Sequence, residues 1–337
     1  MRSGANAQAV AELAKVSQSA VSRTFTPGAS VSEDTRARVL AAAKTLGYRP
    51  NALARSLITR RSQIIALVMG YLENQFYPLV IEKLSQKLQK QGYHVLMFIT
   101  EQDEQTDGVL AEILQYQVDG VVMASAMLSP DLARQCADTG VPVVMFNRVP
   151  QTHAFASHGT SAVTSDNRRG GRLVAELLLA RGYRRIAFLA GLENSSTNLE
   201  RERGFHEAMA EARMPVFASA HGHYDFERAK QATRELFAGE EKPDALFVAN
   251  DHMAIAALDV LRQELGLKVP QEVGVVGFDD VPQAAWGAYR LTTVVQSVEE
   301  MVEATVGLLH EQMREDAAPR NVVIPCRIVE RDTVRAA

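Results

Sequence analysis

The sequence predicts an α/β protein in two unequal parts: a three-helix module at the N-terminus, then a long body in which strands and helices alternate. Three observations carry that expectation. Charge is divided along the chain, apolar residues repeat at helical spacing before position 50, and from position 63 short β-branched runs alternate with helical stretches.

The charge division comes first. Residues 1–62 hold ten Lys or Arg against three acids, a balance of +7, whereas the whole 337-residue chain carries −4, leaving −11 on the remainder. A basic head on an acidic body suggests a polyanion-binding module joined to something else. A solvated basic face with no partner is the alternative. Hydrophobic residues at 47% and charged residues at 23% exclude wholesale disorder. No apolar run reaches the ~18 residues of a membrane span, and the opening residues lack an export signal's apolar core. Cys136 and Cys326 are too few for a cysteine-built zinc site or a disulfide framework. The expectation is a soluble, cytoplasmic protein without metal or cofactor.

In the basic head, Asn6 is placed to cap a helix through Ala14, with Val10, Leu13 and Ala14 as its apolar stripe. Ser17 caps a second helix that turns Ala20 and Val21 inward and closes at Phe25, before the turn Thr26-Pro27-Gly28. Ser32 caps a third, with Glu33 and Asp34 at its positive end, a buried stripe of Val39, Ala42, Ala43 and Leu46, and Gly47 as its stop. The short gap between the first two helices suits a helix-turn-helix. In that motif the second helix presents its early residues to base edges in the major groove. Those residues are Gln18, Ser19, Ser22 and Arg23; Gln matches adenine and Arg matches guanine. A protein-interaction domain with a wet polar face fits the same helices.

The body shows strand-like runs at Ile64–Met69, Val95–Ile99, Gly120–Met123, Val141–Phe146, Ile186–Leu189, Ala245–Ala249 and Val273–Phe278. Helical stretches separate them, the first carrying Val80, Leu84 and Leu88 and stopping at Gly92. Such alternation means parallel sheets covered on both faces. Period alone does not separate two lobes from one eight-unit barrel. In open sheets, ligands bind beyond the carboxyl ends of the strands. That rule selects Asn74 to Tyr77, Ser125, Asn147, Arg148, Asp166, Asn167, Ser195, Thr197, Arg201, Tyr224, Asn250-Asp251 and Asp279-Asp280. Rings together with paired donors and acceptors suit a hydroxylated small molecule.

The run from Val10 to Arg23, Val31-Ser32-Glu33-Asp34-Thr35-Arg36, and the run from Leu46 to Leu57 together resemble the lactose-repressor (LacI) family. Nearly the whole chain takes part. Two departures stand out: Lys15 occupies the family's turn glycine, and Ala9 replaces an acidic residue. Lys15 strains the turn if a positive φ is needed there. The resemblance implies a DNA-binding headpiece over 1–50, a hinge helix over 51–62 and a two-lobed effector-binding and dimerisation domain over 63–337. That domain would have a type I periplasmic-binding-protein-like fold, with residues 63–164 plus roughly 292–325 in one lobe. Residues 165–291 and the last few would form the other. It further implies a repressor that binds operator DNA as a homodimer through Ser17, Gln18, Ser19, Ser22, Arg23, Ser32 and Asn51. Leu57 would act as a minor-groove wedge, or else pack on the neighbouring domain.

In the cleft, the resemblance supports Arg201, within Arg201-x-Arg203-Gly204-Phe205, and Asn250 and Asp279 in their own motifs. It gives Phe76, Tyr77, Asn147 and Tyr224 pocket-lining places. Asn250 and Asp166 fit helix caps equally, and Phe76 and Tyr224 fit a core. Asp251 reads as a cap. Arg148 beside Arg201 suggests a sugar acid or sugar phosphate rather than a neutral sugar, unless Arg148 bridges to Asp166. Trp286 falls in a loop between the lobes. The helices at Val80–Leu88 and Leu132–Ala137 either form a dimer interface or cover the sheet. No leucine heptad closes the sequence, so an added coiled coil is not expected. No hydrolase elbow, phosphate loop or His-Glu-x-x-His is present, and the loop residues His153, His158, His221 and His223 read as solvated. An exported solute-binding protein is the competing function, and the +7 head argues against it.

Overall fold

The structure is a computed structural model that describes residues 6–26, 28–49, 61–100, 107–124, 136, 138–149, 160–314 and 317–336. Pro27, Asn51, Leu57 and the rest of the expected hinge segment through position 60, Ser125, His153, His158 and nearly all of 132–137 lie outside the described residues. Two compact units result, residues 1–62 and 63–337.

The first unit holds α1 (Ala7–Ala14), α2 (Gln18–Thr24) and α3 (Glu33–Leu46). Each begins where a side chain accepts from an otherwise orphaned backbone N–H: Asn6 from Ala9 at 2.9 Å, Ser17 from Ala20 at 3.2 Å, Ser32 from Thr35 at 3.3 Å. Val10, Ala11, Ala14, Val21, Val39, Ala42 and Ala43 form the core. Leu13 and Leu46, expected inside, are 52% and 36% exposed. The contact arc of α1 runs through positions 10, 11 and 14, which turns position 13 outward. Arg36 donates to the Thr24 carbonyl at 3.2 Å and Arg38 to the Ala14 carbonyl at 3.4 Å. Both cations thereby meet the negative ends of α2 and α1. Lys15 sits at φ 52°, a left-handed conformation that costs a non-glycine residue about 1–2 kcal/mol. Lys15→Gly is therefore expected to stabilise the headpiece by about 0.5–1 kcal/mol, read as slower amide exchange in α1–α3.

The second unit runs β1 (Ile64–Gly70), α4 (Phe76–Lys90), β2 (His94–Thr100), α5 (Asp107–Gln115), β3 (Gly120–Ala124), β4 (Val143–Phe146) and β5 (Thr160–Ser165). Next come α6 (Asn167–Ala180), β6 (Ile186–Ala190), α7 (Ser196–Glu211), β7 (Ala218–His221), α8 (Phe226–Leu236), β8 (Ala245–Val248), α9 (Asp251–Asp259) and β9 (Gly274–Asp279). Then follow β10 (Thr292–Val295), α10 (Val298–Arg314), β11 (Asn321–Ile324) and β12 (Arg327–Val329). Two six-stranded sheets form, ordered β11-β5-β4-β3-β1-β2 and β12-β10-β9-β8-β6-β7. Two open sheets answer the question that period left open: there are two lobes and no barrel. Pairing is parallel throughout the first sheet and antiparallel between β10 and β12 in the second. The chain passes between sheets after β5, after β10, and between β11 and β12.

One boundary moves. Strand β10, placed in the first lobe by sequence, belongs to the second, because Val294 pairs with Phe278 on β9. Val80, Leu84 and Leu88 are fully buried, so this face of α4 covers the sheet and offers no dimer surface. Among the described residues no helix is long and apolar enough to cross a membrane.

Candidate functional site

On α2 the side chains of Gln18, Ser19, Ser22 and Arg23 are exposed, while Ala20, Val21 and Thr24 face the core. A seven-residue helix thus presents one polar row. Arg23 Nε donates to the Ser19 carbonyl at 3.3 Å, holding the guanidinium along that row. Ser17 and Ser32 are occupied as caps, and the Ser17 and Ser19 hydroxyls lie 2.9 Å apart.

In the second unit, the carboxyl ends of the two sheets face each other across a closed cleft. Tyr71, Asn74, Tyr77, Asn147 and Arg148 line it from the first lobe; Thr197, Arg201, Tyr224, Asn250 and Asp279 line it from the second. The cleft encloses at most about 260 Å³ of empty space.

Its centre is an ion pair. Arg201, on α7, is buried; its Nε donates to Asn167 Oδ1 at 2.8 Å, one terminal nitrogen donates to the Ala249 carbonyl, and the other lies 3.6 Å from Asp279. Its guanidinium carbon stands 3.7 Å above the Phe278 ring centroid. Asp279 accepts from Asn74 of the first lobe at 3.2 Å and from Gln296, at a crossing segment, at 2.6 Å. One carboxylate therefore ties together both lobes and the hinge. Burial pushes its pKa up to about 6, with Arg201 opposing the shift. Asp251 lies behind it, wholly buried, accepting from Thr293 Oγ1 at 2.6 Å and the Val281 amide at 3.0 Å. Burial, then the neighbouring Asp279, push it up to about 8.

That pair sets a pH dependence. Carboxyls whose folded pKa exceeds the unfolded value bind protons more tightly in the native state, so the contribution of these two to stability is expected to fall as pH rises from about 4 through 8. Asp251→Asn is expected to flatten the decline, measured as melting temperature from pH 5 to pH 8; an unchanged slope would rule Asp251 out as its source.

Around this centre the polar groups come in pairs. Thr197 Oγ1 lies 2.8 Å from Ser195 Oγ and 3.3 Å from the Tyr224 hydroxyl. Asn147, at φ 61°, donates to the Tyr77 hydroxyl at 3.5 Å, and its buried Oδ1 has no hydrogen-bond partner among the described residues. Such an orphan acceptor calls for explanation, and a ligand hydroxyl would satisfy it.

Several expected residues lie elsewhere. Phe76 is core, packed on Tyr77 and Phe146, because it starts α4 on the sheet-facing side. Asp166 caps α6, accepting from Arg169 N at 2.9 Å, and lines the neighbouring opening beside Val149 and Ser196 rather than the closed cleft. Ser195 is one hydrogen bond behind Thr197. Asn250 both caps α9, accepting from Met253 N at 3.0 Å, and lines the cleft. Asp251 is not a cap; it is buried against β10. Asp280 turns away to Arg331 at 2.6 Å, as neighbouring residues at a strand end must. Trp286 follows a short 3-10 turn and is 55% exposed, neither in the cleft nor in the core. Tyr71, absent from the residues that sequence selects, also lines the cleft; it follows β1 directly, where the strand-end rule applies.

An exposed polar helix in a helix-turn-helix unit, carried by a two-lobed α/β unit with a closed polar cleft, defines a ligand-responsive DNA-binding regulator. Comparison with known proteins agrees. Residues 8–51 match the family model for bacterial regulatory proteins of the lacI family, and 175–334 match a periplasmic binding protein-like domain. The regulator CelR of Thermobifida fusca is 32% identical over 336 residues, covering 96% of each chain. Catabolite control protein A of Priestia megaterium is 28% identical over 331 residues, covering 97% of this chain and 98% of its own. Among solved structures, a lac repressor dimer bound to operator and the anti-inducer ONPF superposes with TM-score 0.85 at 26% identity, covering 97% of this chain and 98% of that one. A CelR–cellobiose complex superposes at 0.73 with 31% identity, covering 98% and 99%. The chain belongs to the LacI family of DNA-binding transcriptional regulators.

Proposed function

We propose that this regulator is a repressor that binds operator DNA as a homodimer and changes its hold when a small hydroxylated effector occupies the cleft. The observation that carries this reading is the cleft itself: polar groups from both lobes converge there, and a buried Asn147 acceptor is left open. A ligand bridging the lobes acts through its differential affinity for two lobe arrangements. The solved relatives, one a dimer on operator and one holding cellobiose, support the same division of labour.

In this reading residues 1–50 read DNA through Gln18, Ser19, Ser22 and Arg23. Ser17 and Ser32 position the helices. Asn51 and the wedge Leu57 act from a linker over 51–62, and residues 63–337 bind effector and partner. Tyr77, Asn147, Arg148, Thr197, Arg201, Tyr224, Asn250 and Asp279 contact the effector, with Ser125 added from its place after the third strand. Arg201's donors are already taken by Asn167, Ala249 and Asp279. Preference for a sugar acid or phosphate over a neutral sugar therefore rests on Arg148 alone. Edge strand β2 exposes Ile99 at 62% and also Met97; such a surface suits a second copy of the chain. The protein acts in the cytoplasm, where operator DNA is, and has no catalytic role.

The test selects an operator from random duplexes and follows binding by anisotropy across salt. Log affinity is expected to fall linearly with log salt, by about 0.9 per phosphate contact. Arg23→Ala is expected to relax specificity at one base pair, about 1–3 kcal/mol of discrimination. Sugar binding with no duplex binding at any salt would instead favour a solute receptor.

A further inference from the structure

Tyr71 has an arrangement that the binding of a ligand does not by itself explain. It belongs to the first lobe, just past β1, yet its ring packs against the second. Tyr224 lies 6.0 Å away and His252 5.8 Å away, the latter edge-on, with Tyr77 of its own lobe at 6.3 Å. Its hydroxyl donates to the Tyr224 carbonyl. The backbone holds it at φ 60°, a conformation that L side chains rarely adopt. The cleft around it has at most about 260 Å³ of space, below the roughly 300–1,000 Å³ of pockets for drug-sized ligands.

We infer that Tyr71 is an internal stand-in for the effector, a clasp whose phenol fills the cleft and joins the lobes until a ligand displaces it. The inference rests on the cleft being the effector site. Three features support it together. A phenol offers what a sugar offers, a ring of similar width with a hydroxyl donor. Its neighbours across the cleft, Tyr224 and His252, belong to the opposite lobe. A strained backbone is found where surrounding structure holds a residue in a functional arrangement. Displacement opens both the ring site and the donor site, so Tyr71 also sets the size of ligand admitted. Apparent affinity is reduced by the fraction of molecules in which the clasp is closed.

Cavity complementation tests this without knowing the natural ligand. Tyr71→Gly removes the ring at a position where glycine tolerates the backbone. In the full-length variant, p-cresol is expected to raise the melting temperature, and toluene, which lacks the donor, to raise it less. The wild type should respond to neither. Equal responses in wild type and variant, or none in the variant, would overturn the clasp. Tyr71→Phe, which keeps the ring, guards against misfolding. D-Glucose, D-gluconate and cellobiose are then titrated by calorimetry into wild type and Tyr71→Phe. Losing one hydrogen bond from the closed state should tighten any sugar that binds by roughly three- to tenfold. Equal affinity would overturn displacement. Absence of binding by all three sugars in both proteins counts against the effector reading for this sugar class, while the p-cresol result decides the clasp separately.

Discussion

Substituting Arg201 by Met is expected to destabilise the two-lobed unit by about 3–5 kcal/mol. The Arg201 and Asp279 side chains are each 2% exposed, so removing the guanidinium leaves a carboxylate buried with its charge uncompensated. Asn74 and Gln296 still donate to it, but neutral donors replace only part of a cation. The Asn167 and Ala249 acceptors also lose their partner, and an unsatisfied buried acceptor costs about 1–3 kcal/mol. The companion Asp279→Asn removes the charge from the other side. Residues sharing one network are not additive, so Arg201→Met with Asp279→Asn should cost clearly less than the two single changes together. Urea denaturation reads this as a lowered midpoint at constant slope. A loss below about 1 kcal/mol for Arg201→Met would mean that the pair carries little of the lobe's stability. Effector binding should be lost as well, because the same residues position the cleft's second-lobe wall.

The second large effect lies behind the site, where α6 and α7 pack closely. A Cβ added at Gly204 would overlap the Arg168 carbonyl, and one added at Gly171 would overlap the Arg201 carbonyl. Both obstacles are backbone, so no side chain can swing aside. Gly204→Ala must push the helices apart, at a cost of about 1–3 kcal/mol or more. Arg201 is three residues from Gly204 on α7, so the shift reaches the cleft and should weaken effector binding even though Gly204 contacts no ligand. Gly307, within α10, has nothing within 4 Å of an added Cβ. Gly307→Ala should stabilise by about 0.5–1 kcal/mol, because alanine loses less backbone freedom in a helix. Thermal melting of the two variants side by side decides the matter; equal responses would contradict the close helix contact.

The parts legible from sequence are those governed by neighbours along the chain. Asn6, Ser17 and Ser32 cap helices because a cap is a contact over three residues. Lys15 adopts the positive φ that the turn needs, a requirement visible from the glycine usual there. Alternating strands and helices imply parallel sheets, and the ends of those strands locate the cleft, so Arg201, Asn250, Asp279, Asn147 and Tyr77 could all be named in advance.

What sequence left undecided depends on how elements dock. Phe76 and Tyr77 are adjacent aromatics with the same propensities, yet one is core and the other lines the cleft, because α4 meets its sheet at one rotation only. Asp166 and Asn250 both cap helices, yet only Asn250 also reaches the cavity. Strand β10, expected at the edge of the first lobe, joins the second because a strand's own residues do not encode its partner; pairing with β9 decides it. Tyr71 packs on Tyr224 and His252, more than 150 positions away. Local backbone energetics and periodicity determined the elements, the fold class and the strand-end residues. Which side chains face one another across the cleft was decided by the tertiary structure, because burial and long-range hydrogen bonds act only after the lobes have packed.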